Sequence, residues 1–128
     1  MIIIPAIDLK DGEAVRLYKG DYQQKTVYSS SPETLALQFQ NMGANYLHVV
    51  DLDGAKDGTT TNLSTIQKIR QTISIPIEVG GGIRTMDTVE LYLEKIGIDR
   101  VILGTAAIEN PEFLKTALKK YGAKRIVV

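Results

Sequence analysis

The 128-residue sequence contains no cysteine. Disulfides, thiolate zinc sites and cysteine nucleophiles are therefore excluded. It has one histidine, His48, which rules out a multi-histidine metal site within one chain. It lacks a charge excess: 15 Lys+Arg balance 15 Asp+Glu. Nucleic acid and acidic membrane surfaces each need a basic face, so neither is expected as a partner. Long apolar runs are also missing. Met1-Ile2-Ile3-Ile4 is brief, and Asp8, Lys10 and Asp11 follow closely, so it reads as neither signal peptide nor membrane span. A soluble cytoplasmic protein is expected, with residues 1–128 forming a single domain.

What is present is an alternation of short apolar runs and longer amphipathic segments. Strands are expected at Ile2–Ile7, Tyr46–Val50, Ile75–Val79, Arg100–Leu103 and Arg125–Val128. They are rich in Ile and Val and apolar on both faces, as parallel strands covered on both sides are. Glu78 is the exception. Helices are expected from Pro32 to Gly43, with Ser31 as N-cap, then at Leu63–Ile73, Thr85–Ile96, and from Asn110 to Tyr121. Strict β-α alternation means a parallel α/β sheet. The long segment Lys10–Ser31 suits a lid or a small hairpin, with Val15-Arg16-Leu17 as one of its strands. Arg125–Val128 reads as a fifth strand cut off as it begins. A complete (β/α)₈ barrel needs roughly 250 residues, so the expectation is half of one.

Two strand exits stand out. Ile77-Glu78-Val79 runs into Gly80-Gly81-Gly82-Ile83-Arg84, and Val101-Ile102-Leu103 runs into Gly104-Thr105-Ala106-Ala107. Glycine lets a ligand approach the backbone and its N–H donors closely. Side by side, these exits describe a phosphate cradle; a tight strand-to-helix turn with Arg84 on the surface is the plainer alternative. Neither is a Walker loop or a dinucleotide fingerprint.

Asp8 lies at the carboxyl end of the first strand, where parallel α/β folds build their sites. Apolar neighbours can raise a carboxylate's pKa enough to make it a general base; equally, Asp8 can simply open a turn. His48 and Asp51 flank the exit of the second strand. By period two, His48 and Val50 share one face, and Val49 and Asp51 the other. His48 can be a satisfied core residue, and Asp51 and Asp53 can be turn formers before Gly54. Arg16, Lys19 and Lys25 occupy the long first segment and suit either a lid over an anion or a solvated loop.

Taken together, Pro5-Ala6-Ile7-Asp8-Leu9, Arg16-Leu17-Tyr18-Lys19-Gly20, His48 through Ala55, Val79 through Arg84 and Val101 through Ala107 resemble one family. It is the histidine-biosynthesis isomerases named phosphoribosylformimino-5-aminoimidazole carboxamide ribotide isomerase, which are (β/α)₈ barrels. The match runs through the whole chain and covers the N-terminal half of such an enzyme. The sister cyclase of imidazole glycerol phosphate synthesis shares the triple glycine. Its first strand, however, typically reads Cys-Leu-Asp where this chain has Ala6-Ile7-Asp8.

The resemblance implies an Amadori rearrangement of an aminoaldose phosphate, with no metal or redox cofactor. It implies Asp8 as the base that removes the C2 proton. Gly81, Gly82 and Thr105 would hold one substrate phosphate. His48 and Asp51 would line the centre of the site, and Arg16 and Lys19 would belong to the closing loop. The family's general acid lies just past the start of strand five and its second phosphate site in the last two strands, both beyond Val128. The 128 residues are therefore expected to turn over weakly or not at all. The expected partners are a phosphorylated small molecule and either a second copy or a complementary C-terminal half-barrel. Other readings are a phosphate-binding scaffold that self-associates, a dual isomerase that also accepts phosphoribosylanthranilate, and the cyclase-like sister.

Overall fold

Short Ile- and Val-rich runs pair as parallel strands because the amphipathic segments between them carry the chain back across one face of the sheet. The computed structural model describes residues 2–18, 21–57 and 61–128. Its strands are β1 (Ala6–Lys10), β2 (Glu13–Tyr18), β3 (Asp21–Ser29), β4 (Leu47–Asp51), β5 (Ile77–Gly80), β6 (Arg100–Ile102) and β7 (Ile126–Val127). They form one open sheet in the order β3-β2-β1-β4-β5-β6-β7. The run from β1 through β4, β5 and β6 to β7 is parallel, whereas β1-β2-β3 is antiparallel. This is the expected α/β half-barrel arrangement.

The helices are α1 (Pro32–Asn41), α2 (Leu52–Asp57), α3 (Leu63–Thr72), α4 (Met86–Glu90), α5 (Thr105–Glu109) and α6 (Pro111–Tyr121). None is long and apolar enough to cross a membrane. A π-helical turn, Leu91–Ile96, continues α4. The Gly97 N–H bonds back to the Tyr92 carbonyl at 3.1 Å, and Gly97 closes the turn in the left-handed region.

Strand alternation sets the two faces of the sheet. Ile7, Leu9, Leu47, Val49, Ile77, Val79 and Val101 belong to the core, with Ile66 and Ile69 of α3, Val89 and Tyr92. Burying each such side chain contributes about 1.5–3 kcal/mol. The opposite parity carries Ala6 and Asp8 on β1, His48 and Val50 on β4, Glu78 and Gly80 on β5, and Arg100 and Ile102 on β6. Register aligns these in two rows, Ala6-His48-Glu78-Arg100 and Asp8-Val50-Gly80-Ile102.

Arginines tie down the loops that enter the strands. Arg125 donates to the carbonyls of Leu93, Ile98 and Asp99 at 3.0–3.2 Å. Arg70 binds the Asp99 carboxylate at 3.0 Å and the Ile73 and Ile75 carbonyls. The same oxygen, Asp99 Oδ2, also accepts from the Ile77 N–H at 2.8 Å.

Several expectations need correction. The first strand starts at Ala6 rather than Ile2; Ile2, Ile3 and Ile4 are exposed. The third expected strand starts at Ile77 rather than Ile75, since Pro76 has no N–H to give a ladder. Ser31 occupies the N-cap of α1 but caps through its carbonyl, which accepts from the Thr34 N–H at 3.0 Å; its hydroxyl makes no cap bond. Of the two readings of the long first segment, the described residues take the hairpin, with Val15-Arg16-Leu17 inside β2 and β2 paired antiparallel with β3.

Candidate functional site

The glycine-rich exits of β5 and β6 meet. Gly81, Gly82, Ile83, Arg84, Ile102, Gly104, Thr105 and Ala106 line one cavity of about 210 Å³ together with Ala55. Its wall is largely backbone and small side chains. Thr105 supplies a hydroxyl, and Arg84 supplies a guanidinium that donates to the Ala55 carbonyl at 3.4 Å. A guanidinium, a hydroxyl and accessible peptide N–H groups are what a phosphate monoester needs. Arg84 is exposed, as its plainer reading had it, and it also borders this cavity with Gly81, Gly82 and Thr105.

The protein's own backbone also demands two of these glycines. A Cβ on Gly81 (φ +113°) would lie 2.3 Å from the Asp51 carbonyl oxygen. One on Gly82 (φ +74°) would lie 1.9 Å from the Gly54 carbonyl oxygen. The β5 exit packs directly on the β4-α2 turn, so these positions are closed to any side chain.

Asp51 holds that turn. Its Oδ1 accepts from the Gly54 N–H at 2.9 Å and from Asn62 Nδ2 at 2.7 Å. Asn62 also donates to Asp53 at 3.0 Å and accepts from the Gly12 N–H at 2.8 Å, while Asp53 accepts from the Asp11 N–H at 2.8 Å. A buried Asn-Asp-Asp knot thereby joins the β1-β2 turn to the β4-α2 turn. Asp51 Oδ2 is buried without a hydrogen-bond partner among the described residues, and burial raises the Asp51 pKa above its ordinary value. Asp51 shares the parity of Val49, on the core side of the sheet, and is not brought together with Asp8 and His48.

Asp8 is half-buried at the middle of β1 rather than at its carboxyl end, because the strand begins at Ala6 and runs on to Lys10. Burial raises its pKa; the neighbouring His48 acts in the opposite sense. It shares a row with Gly80 and Ile102, two and three strands away. At about 4.8 Å per strand this is a span of about 10–14 Å, within reach of a phosphorylated sugar that carries a base. Asp8 also lines a second cavity of about 510 Å³ with Arg16, Tyr28, Leu35 and Phe39, among others. Arg16 lies on strand β2, and the Tyr28 hydroxyl bonded to it raises its pKa. Lys19 lies outside the described residues.

His48 lies on the parity of Asp8, one row below. Its Nδ1 is 3.0 Å from Glu78 Oε1, and Arg100 Nε donates to Glu78 Oε2 at 2.7 Å. The Arg100 guanidinium stacks 4.3 Å over the Tyr46 ring. Glu78 and Arg100 were missed as site neighbours by sequence reasoning. The available signal was a carboxylate and a guanidinium at matching parity in neighbouring strands. Among the described residues, no group of three or more His, Cys, Asp or Glu side chains is placed to hold a metal ion.

Comparison with known proteins places these features in context. A family model described as "Histidine biosynthesis protein" matches residues 2–128. An isomerase of Lactococcus lactis subsp. cremoris (strain SK11), named for an imidazole-4-carboxamide bearing two 5-phosphoribosyl groups, is 65% identical over all 128 residues, which make up 52% of its own length. The enzyme of the same name from Halothermothrix orenii is 52% identical over all 128 residues, 54% of its length. That of Listeria monocytogenes serotype 4a is 56% identical over 124 residues, covering 97% of this chain and 51% of the relative. The chain spans about half the length of the curated relatives it matches.

Proposed function

This chain belongs to the histidine biosynthesis protein family, and we propose that it supplies the base and one phosphate site of an aldose-to-ketose isomerase. The substrate is a phosphoribosylated aminoimidazole carboxamide ribotide, rearranged in the Amadori manner. The observation that carries this reading is the shared row of Asp8 in β1 and Gly80 at the carboxyl end of β5, with the glycine-lined cavity at the exits of β5 and β6.

In this mechanism Arg84, the Thr105 hydroxyl and the peptide N–H groups around Gly81 and Gly82 grip the sugar phosphate. The sugar then lies along the Asp8 row. Once the ribose ring is open as its protonated C1 imine, the Asp8 carboxylate removes the C2 proton. The released pair becomes the C1–C2 double bond as the imine π pair passes to nitrogen. The enolamine becomes the ketose by taking a proton at C1 and losing its hydroxyl proton. A carboxylate whose pKa is raised by burial is a stronger base than one in water. Binding is spent on the phosphate, which does not react, so that the carboxylate and C2 are held together.

The experiment is an isomerisation assay in a chain of the relatives' length carrying these residues, with Asp8→Asn. Loss of the base is expected to lower kcat by about 10²–10⁴ with KM little changed. An unchanged kcat would overturn the assignment.

A second reading, a phosphate-binding half-barrel that pairs with a second copy, draws support from the open sheet and the half-buried charged row His48-Glu78-Arg100. Light scattering at micromolar concentration tests it: a dimer supports that reading, and a monomer rejects it.

A further inference from the structure

Glu78 sits where a parallel strand is normally apolar, and its two carboxylate oxygens are divided between two partners. Oε2 takes the Arg100 Nε–H at 2.7 Å, and Oε1 faces His48 Nδ1 at 3.0 Å. The Glu78 side chain is 12% exposed and that of His48 29%. Arg100 is itself held by its stack on Tyr46. Each member of the chain Tyr46-Arg100-Glu78-His48 fixes the next, across β6, β5 and β4.

The hydrogen-bond inventory of these groups decides the protonation pattern. A carboxylate can only accept, and a guanidinium can only donate. With Arg100 donating to one oxygen, the other offers only lone pairs to His48. The neutral imidazole must then carry its proton on Nδ1 and leave Nε2 bare. No group among the described residues hydrogen-bonds Nε2. Asp8 faces the same side from β1, within electrostatic reach.

We propose that Glu78 is a positioning residue that locks His48 as the Nδ1–H tautomer, so that Nε2 is presented as a hydrogen-bond acceptor to a substrate hydroxyl beside Asp8. This rests on the reading of Asp8 as the base. A sugar hydroxyl held by Nε2 would fix the open-chain ribose against Asp8 without adding a second negative charge near the carboxylate. The groups that face His48 are Asp8 from β1, Glu78 from β5 and Arg100 beyond it on β6.

The test needs no substrate. His48 is the chain's one histidine, so the imidazole ¹⁵N–¹H correlation spectrum contains a single ring and needs no assignment. At a pH where the ring is uncharged, the wild-type spectrum should show a protonated Nδ1 and a bare Nε2. Glu78→Gln keeps the side chain's size. Arg100 then claims the one remaining acceptor oxygen, the amide NH₂ turns toward His48, and the two ring nitrogens should exchange their resonance positions. Arg100→Met leaves the carboxylate free to accept and should keep the wild-type tautomer. Amide spectra of both variants establish that they remain folded. A wild-type Nε2–H tautomer, or a Glu78→Gln spectrum unchanged from wild type, would overturn the proposal. The outcome is independent of the isomerisation assay, because the tautomer is read on the free protein.

Discussion

Replacing Gly82 by alanine is the sharpest perturbation of the β5 exit. Two costs add at this position. Its φ of +74° places alanine in the left-handed region, at about 1–2 kcal/mol. The new Cβ would stand 1.9 Å from the Gly54 carbonyl oxygen and 2.4 Å from its carbon. Both are backbone atoms, pinned by the Asp51 carboxylate on the Gly54 N–H. Overpacking against a site that cannot yield costs about 1–3 kcal/mol more. The expected total is about 2–5 kcal/mol, against a typical domain stability of about 5–15 kcal/mol. Gly97 is the control. Its φ is +87°, but a Cβ there meets nothing within 4 Å, so Gly97→Ala should cost about 1–2 kcal/mol from backbone strain alone. Urea unfolding of both variants separates the terms. With a slope of about 2 kcal/mol/M, the Gly82→Ala midpoint should fall by about 1–2.5 M, and further than that of Gly97→Ala. Equal midpoints for the two variants would refute the claim that the β4-α2 turn closes this position.

Asn62→Ala should destabilise by about 3–5 kcal/mol in the same unfolding experiment, because it strips partners from two buried carboxylates and the Gly12 N–H; a cost under 1 kcal/mol would contradict the knot. Arg125→Met removes the donor to three carbonyls ahead of β6 and should cost about 1–3 kcal/mol, leaving phosphate binding intact by calorimetry. Asp8→Asn should change the pH profile of stability. The folded-state pKa of Asp8 is raised, so its contribution is fully present below the unfolded value, about 3.9, and is lost as pH rises through the folded value. Unfolding from pH 3.5 to 7 should therefore show the variant gaining on wild type from about pH 4 upward; a pH-independent difference would contradict the burial of Asp8.

The parallel core was legible because its signal is local. Ile and Val runs bounded by Gly43, Gly97 and Gly122 mark strands and helix ends whatever their neighbours are. The short helices α2 and α5 were not read. Five or six residues carry too little periodicity, and Asp53-Gly54 reads as a turn. The π-helical turn was hidden for the same reason, since Leu91–Ile96 continues an ordinary amphipathic pattern. Gly81 and Gly82 were marked from composition as a place where backbone is approached closely. That the approaching group includes the protein's own Asp51–Gly54 backbone depends on the packing of β5 beside β4, which a single segment does not encode. The parity argument placed Asp51 with Val49 and His48 with Val50, and the structure keeps that division. The pairing of His48 with Glu78 and Arg100 needed the register of three strands.

The most direct test of the proposed site is an amide-shift titration of the chain with a ribose 5-phosphate. The account predicts saturating shifts at Gly82, Arg84, Thr105 and Ala106, accompanied by a smaller change at Asp8. Shifts confined to the Arg16–Tyr28 cavity, or none at the β5 and β6 exits, would contradict it.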